Sequence, residues 1–256
     1  MSQERQGPMK SSILVLTPTA ILFSGLLAFA GVELAMGQAP SDLSLAAVKP
    51  YTAKFDYFVD GDAGELEKAG SWTDIVSVDQ GMLSRTVRRF TNEGVVDLVR
   101  TVIVDRETIE PVRIQQRFGP ELANVYQLEF SDQTLTQILI GDASNPARVS
   151  SVEMSEPVME TGLQGVFVLS LPQEKSGEIQ VNTYVAGADP KATAKTFHIM
   201  GQEQVEVLGQ TLEAWRIEDR ASQWTYWVRR NKPYIVKVVH PVPGGKMATS
   251  LVTGFD

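Results

Sequence analysis

Hydrophobic and polar side chains alternate through most of the chain after residue 50. The clearest case is YTAKFDYFV, in which every second residue from Tyr51 to Val59 lies on one side. A period of two residues is typical of a β-strand with one buried face. A turn-like sequence, DGDAG, follows this segment, and similar alternating segments then recur at short intervals. The pattern predicts a mainly β protein.

The alternating segments predict about 12 to 14 strands. After the first, they cover residues 71–78, 82–91, 95–104, 112–118, 124–130, 134–140, 178–185, 196–200, 204–208, 211–219, 222–228, 234–240 and 247–253. The breaks between most of them are short and turn-like, which leaves no room for crossover helices. Neighbouring strands are therefore predicted to pair antiparallel in one sheet.

Residues 141–177 interrupt this rhythm. They are richer in Pro, Ser and Glu, and TGLQGVFVLSL (161–171) is apolar enough for a short helix lying on the sheet. A domain boundary in this region is the alternative. We favour a single domain over residues 51–256 with an irregular excursion at 141–177, because neither half alone has an obvious core.

The first 37 residues are typical of an export signal. Two basic residues precede an apolar run from Ile13 to Ala30, and Ala35 and Gly37 have the spacing that a signal peptidase accepts. Cleavage would leave residues 38–50 as a short tether in front of the domain. The alternative is an uncleaved membrane anchor, because the apolar run is just long enough to span a bilayer.

Composition removes several classes of function. The chain has no cysteine, which excludes lipid attachment at a cysteine, thiol catalysis, cysteine metal sites and disulfides. Its net charge is −8 at pH 7, and the basic residues are scattered. Nucleic-acid binding needs clustered positive charge, so it is excluded as well.

The C-terminal third carries a recognisable arrangement of turns, aromatics and a proline. It consists of Gly201, Glu203, Val205, Gly209, Ala214, Trp215, Thr225, Trp227, Val228, Pro233 and Lys237. The arrangement resembles an uncharacterised family of exported bacterial proteins, the domain of unknown function 3108. More distantly, it is similar to the periplasmic lipoprotein carriers and receptors.

The resemblance implies a single curved, mostly antiparallel open sheet or half-barrel with one or two short helices. It also implies a periplasmic location and an apolar or lipid-like ligand in the hollow of the sheet. The uncharacterised family has no established catalytic residues, so the resemblance assigns none to this chain.

Aromatic residues concentrate between residues 212 and 240, which are predicted to form three successive strands. In the middle strand Trp224 and Tyr226 share one face, whereas Trp227 points to the other. One interpretation is a site for an apolar ligand, and the alternative is a set of cross-strand core pairs. The candidate ligand-binding residues are Trp215, Trp224, Tyr226, Trp227 and Tyr234.

Arginines recur on consecutive predicted strands or at their ends. Arg85 and Arg89 share one face of a strand, and Arg113 and Arg117 share one face of another. These four are candidates for contact with an anionic partner, such as a phospholipid headgroup or a polyanionic glycan. The alternative is the solvated face of a half-exposed sheet.

No arrangement of residues indicates catalysis, a metal or a cofactor. The two histidines, His198 and His240, have no potential metal ligand at the spacings typical of such sites. No G-x-S-x-G turn is present. DGDAGE (60–65) begins like a calcium loop but has glutamate at its sixth position, where such a loop needs glycine. The sequence therefore predicts a protein without enzymatic activity, cofactor or metal.

The leading hypothesis is a periplasmic, non-enzymatic binding or carrier-like protein of the cell envelope. Its partner would be a lipid or another amphiphile held by the curved sheet. The alternative is a periplasmic interaction module whose partner is another envelope protein, because an open sheet leaves its edges available for strand addition. A third hypothesis is an enzyme whose catalytic residues come together only in space, and it is disfavoured because the sequence contains no candidate nucleophile, base or metal cluster.

Overall fold

The computed structural model describes residues 43–61, 64–131, 133–141, 147–154, 158–159, 165–172, 176–185 and 191–256. All of them belong to one compact unit, Gly37–Asp256. The predicted signal segment, residues 1–37, lies outside the described residues. In the described part of the chain, no helix has the length and apolar character needed to cross a membrane.

Fourteen strands and one short α-helix make up the described structure. The strands are β1 (Tyr51–Asp60), β2 (Leu66–Asp79), β3 (Met82–Phe90), β4 (Val96–Asp105), β5 (Pro111–Phe118), β6 (Asn124–Ser131), β7 (Thr134–Ile140), β8 (Arg148–Glu153), β9 (Gly177–Val185), β10 (Lys191–Val207), β11 (Gln210–Asp219), β12 (Trp224–Val228), β13 (Ile235–Pro241) and β14 (Met247–Phe255). The helix α1 is Val166–Ser170, and a single 3-10 turn spans Pro120–Leu122.

All strands lie in one open sheet with the order β8-β7-β6-β5-β4-β3-β2-β1-β14-β13-β12-β11-β10-β9. Every neighbouring pair is antiparallel. The first strand of the sequence pairs with the last, so β1 and β14 join two meanders at the centre. The predicted fold class, a mainly β open antiparallel sheet, is confirmed.

Two elements differ from the sequence prediction. Residues 196–200 and 204–208, predicted as two strands, belong to the same strand, β10. The β10–β11 ladder shifts its register between Ile199 and Gly201 but does not end there. Gly201 has φ of +123°, a conformation that side chains with a Cβ rarely adopt. Within the predicted excursion the structure places β8 and α1, and β8 escaped prediction because RVSSVE has few apolar residues.

Two hydrogen bonds at adjacent residues demonstrate that the sheet is curved. Arg106, just after β4, donates to the carbonyl of Val48 at 2.9 Å, and the amide of Lys49 donates to the hydroxyl of Tyr234, just before β13, at 2.9 Å. In a flat sheet, five inter-strand steps of about 4.8 Å would separate β4 from β13 by about 24 Å. The side chains of Arg106 and Tyr234 contact consecutive residues, Val48 and Lys49, and together they are too short to span that distance. The sheet therefore bends around residues 43–49.

The hollow of this bend is filled with apolar side chains, and we call the face that lines it the inner face. All five residues of α1 are buried, and Phe167 lies against Phe197 of β10 with ring centroids 4.9 Å apart. A helix that is apolar on all sides is stable only when it is enclosed in this way. Residues 43–50 of the predicted tether also contribute, because Leu45 and Val48 are buried beside them.

A charged group lies inside this apolar face. Arg85 of β3 forms two hydrogen bonds to Asp74 of β2, at 2.7 and 2.8 Å, and Tyr51 of β1 donates to the same carboxylate at 2.5 Å. The side chains of Arg85 and Asp74 are 2% and 0% exposed. Burial, together with the negative charge of Asp74, raises the pKa of Tyr51 well above its usual value of 10.0.

Replacing Arg85 alone should destabilise the protein strongly, because the carboxylate of Asp74 would remain buried without its cation. We expect Arg85→Met to lower the free energy of unfolding by about 3 to 5 kcal/mol, measured by urea denaturation at pH 7. The double variant Asp74→Asn/Arg85→Met should recover a large part of that loss. A double variant as unstable as Arg85→Met would contradict this account.

Candidate functional site

The strand β12 divides its aromatic side chains between the two faces of the sheet. Tyr226 and Val228 are buried on the inner face, Trp224 lies half-buried beside them, and Trp227 lies on the outer face. The ladder places Trp224 opposite Asp219 of β11 and Tyr226 opposite Ile217 and Val238. The face assignment predicted from alternation within this strand agrees with these positions.

Four rings from three strands form what we call the aromatic stack: Tyr57, Trp224, Tyr226 and His240. The imidazole of His240 and the indole of Trp224 are 4.1 Å apart at an angle of 2°. Tyr57 lies 6.0 Å from His240 at 23°, and Tyr226 lies 5.9 Å from Trp224 at 25°. Tyr57 and Trp224 are only partly buried, so part of each side chain remains accessible in the described structure.

An ion pair borders the stack. Arg89 of β3 donates twice to the carboxylate of Asp97 near the start of β4, with both distances 2.9 Å, and the two side chains are 40% and 33% exposed. Burial raises the pKa of Tyr57, while the charge of Arg89 acts in the opposite direction. The border of the stack therefore offers a partly exposed cation next to apolar rings.

The environment of His240 favours its neutral form. Burial of the ring lowers the pKa of His240 below 6.5, and the nearby positive charge of Arg89 acts in the same direction. A hydrogen-bond contact of 3.1 Å joins Nδ1 to the carbonyl of Pro241. At neutral pH the imidazole is therefore uncharged and stacks as an aromatic ring.

Within the described part of the chain, two buried polar atoms close to the stack have no hydrogen-bond partner. They are Nε1 of Trp72 and Oγ of Ser250. Ser250 lies directly opposite Tyr57 in the β1–β14 ladder, and Trp72 stacks on Phe55 of β1 at 3.7 Å. An unpaired buried donor or acceptor costs about 1 to 3 kcal/mol, so a water molecule or a ligand group that bonded to either atom would recover part of this cost.

The other three aromatic candidates lie elsewhere. Tyr234 is buried, stacks edge-on against Tyr51 at 5.2 Å, and holds the segment 43–49 through its hydroxyl. Trp227, on the outer face, donates to Glu203 at 2.9 Å and lies under the ammonium of Lys237 at 4.5 Å. The bond from Trp227 is the main reason that the pKa of Glu203 is lowered. Trp215 lines a separate cavity.

The four candidate arginines do not form one patch. Arg85 and Arg89 point to the inner face, where Arg85 is neutralised by Asp74. Arg113 and Arg117 point to the opposite face, and Arg113 pairs with Glu129 of β6 at 3.2 Å. Of the four, Arg89 is the one beside the aromatic stack.

Tyr57, Asp97 and His240 were not predicted as members of the candidate site. The position of His240 opposite Trp224 follows from the β12–β13 register, which no local sequence signal reveals. Across the described ranges, no group of three or more His, Asp or Glu side chains could hold a metal ion. Nδ1 of His198 lies 3.0 Å from the carboxylate of Glu178.

Comparison with known proteins adds no assignment. No protein-family model matches the chain, and no curated protein is significantly similar to it. The class of protein therefore has to be argued from the open antiparallel sheet and from the contacts on its inner face.

Protonation of His240 should destabilise the folded protein. Because folding lowers the pKa of His240, the unfolded chain binds the proton more readily than the folded protein does. The contribution of neutral His240 to the free energy of unfolding is therefore fully present above about pH 6.5, and it is lost as the pH falls through the pKa of the folded protein. We expect the free energy of unfolding to fall between about pH 7.5 and pH 5. Part of that fall should disappear in His240→Phe, measured by urea denaturation across the pH range.

The control is His198→Gln, which removes the other histidine. In this variant the contribution of His240 to the pH dependence of the free energy of unfolding should remain. If His240→Phe has the same pH dependence as the unmodified protein, the neutral, stacked state of His240 is refuted.

Proposed function

We propose that this protein is a periplasmic, non-enzymatic binding protein that holds an apolar or lipid-like amphiphile against the inner face of its curved sheet. The observation that carries the proposal is the aromatic stack of Tyr57, Trp224, Tyr226 and His240, which is partly open and bordered by Arg89. The export signal predicted at residues 1–37 and the family resemblance are consistent with this role.

The apolar part of the ligand would contact the stack. Large, rigid aromatic rings supply contact area with little loss of side-chain entropy, which is why they recur in sites for apolar ligands. The parallel Trp224 and His240 rings offer such a surface, and the neutral form of the imidazole, which burial favours, adds no charge to it.

The polar part of the ligand would lie at the border with β3 and β4. Arg89 is paired with Asp97 but remains 40% exposed, so an anionic headgroup can approach the guanidinium from solvent. Much of the hollow beside the stack is filled by α1 and by residues 43–49. These contacts favour a ligand bound at the Tyr57 and Trp224 end over one that runs through the whole hollow.

A second candidate function is an interaction module that binds another envelope protein by strand addition. It is favoured by β8, an edge strand whose residues are exposed apart from the half-buried Val152. Val149 in this strand is 68% exposed, although it is apolar. An edge with free backbone groups can accept a further strand.

The test is native mass spectrometry of the mature protein purified from its own envelope, followed by extraction of any bound molecule. The proposal expects a stoichiometric amphiphile. A protein that carries no ligand and does not bind added lipids would refute the proposal and favour the strand-addition candidate. A crosslinked pull-down that compares the unmodified protein with Val149→Lys would then test strand addition at β8.

Trp224→Ala should weaken amphiphile binding about tenfold or more, because it removes the widest ring of the stack. Trp227→Ala is the matched control: it deletes the same side chain from the same strand but on the outer face. Binding is measured by fluorescence titration with a lipid probe on both variants, after thermal denaturation has verified their folding. Equal losses in the two variants would place the ligand away from the stack.

A further inference from the structure

The described residues also form an open cavity that is separate from the aromatic stack. It has a volume of about 610 Å³ and lies between the β10–β11 hairpin and the connection from β12 to β13. Sites for small molecules usually measure about 300 to 1,000 Å³, so the cavity has room for one or two sugar rings. Six side chains define its chemistry: Gln202, Glu213, Trp215, Arg229, Arg230 and Asn231.

The ladder explains how these side chains come together. Trp215 of β11 lies between Gln202 of β10 and the fully buried Val228 of β12. The register shift beside Gly201 brings Gln202 to the same face as Trp215. Arg229 and the following residues continue from Val228 into the connection, and the amide of Arg229 donates to the carbonyl of Tyr234 at 2.6 Å, which fixes the start of that connection.

The cavity is distinct from the candidate amphiphile site. Trp215 and Asp219 are both on β11, and Asp219 is the residue opposite Trp224. Four residues along a strand correspond to about 13 Å. The lining also differs, because amide, carboxylate and guanidinium groups surround the single indole of Trp215.

We propose that this cavity binds an anionic saccharide, meaning a sugar ring that carries a carboxylate or a phosphate. The indole of Trp215 provides a flat apolar surface for one face of the ring. The amides of Gln202 and Asn231 and the carboxylate of Glu213 match hydroxyl groups, which both donate and accept hydrogen bonds.

The charges of the lining select the anionic form. Arg229 and Arg230 supply two positive charges against the one negative charge of Glu213, in a chain whose net charge is −8. A guanidinium group presents its donors in a planar fork that matches the oxygens of a carboxylate or a phosphate. A lipid chain would displace solvent from this polar lining without offering hydrogen bonds in return, so the lining disfavours a lipid chain.

The proposal is tested by isothermal titration of the mature protein with trigalacturonic acid, glucose 6-phosphate and neutral maltotriose at physiological salt. We expect one of the two anionic probes to bind at least about tenfold more tightly than maltotriose, and the better of the two identifies the anionic group. Equal affinity for maltotriose, or no binding of either anionic probe, would overturn the proposal.

Arg230→Gln should weaken binding of the better probe about tenfold, because it removes one charged donor from an exposed position of the lining. Thermal denaturation of the variant checks that it is folded. Arg117→Gln is the matched control, since it removes the same charge from an exposed position on the outer face of β5. Equal losses in the two variants would mean binding by net charge alone and would overturn the proposal.

The two sites can be tested separately in the same protein. Trp224→Ala should leave the affinity for the saccharide probe unchanged. If the protein binds no amphiphile but still binds the anionic probe, the proposed function fails while the saccharide site stands. Loss of saccharide binding in Trp224→Ala would contradict a separate site.

Discussion

The pairing of β1 with β14 is the contact on which the rest of the structure depends. It joins the meander β1–β8 to the meander β9–β14, and its register places Tyr57 opposite Ser250. Only with this register do Tyr57 from one meander and His240 from the other reach stacking distance. Closing so long a chain segment has an entropic cost, which the apolar contacts across the ladder have to offset.

Curvature converts this pairing into an enclosed inner face. The segment 43–49 is held by Arg106 on one side and by Tyr234 on the other, and α1 lies against β10 and β12. These contacts fill much of the hollow and leave the half-buried rings of Tyr57 and Trp224 near its margin. The buried pair of Asp74 and Arg85 adds a polar constraint, because neither partner is tolerated there alone.

Much of the fold was predictable because strand alternation and turn residues are local signals. The opposite faces of Trp224 and Trp227 and the short helix within residues 161–171 follow from such signals. The site was less predictable, because register between strands is not local. Arg85 with Arg89 and Arg113 with Arg117 were correctly paired within their strands, but only the ladders reveal that the two pairs face opposite sides. The stacking of His240 on Trp224 depends on the same non-local information.

The most direct test of the central claim is photo-crosslinking with a fatty acid that carries a diazirine on its acyl chain, followed by peptide mapping. The account predicts crosslinks on the inner face at Tyr57, Trp224 and their neighbours, and their loss when an unlabelled amphiphile competes. Crosslinks confined to the outer face around Trp227, or labelling that no competitor reduces, would contradict it.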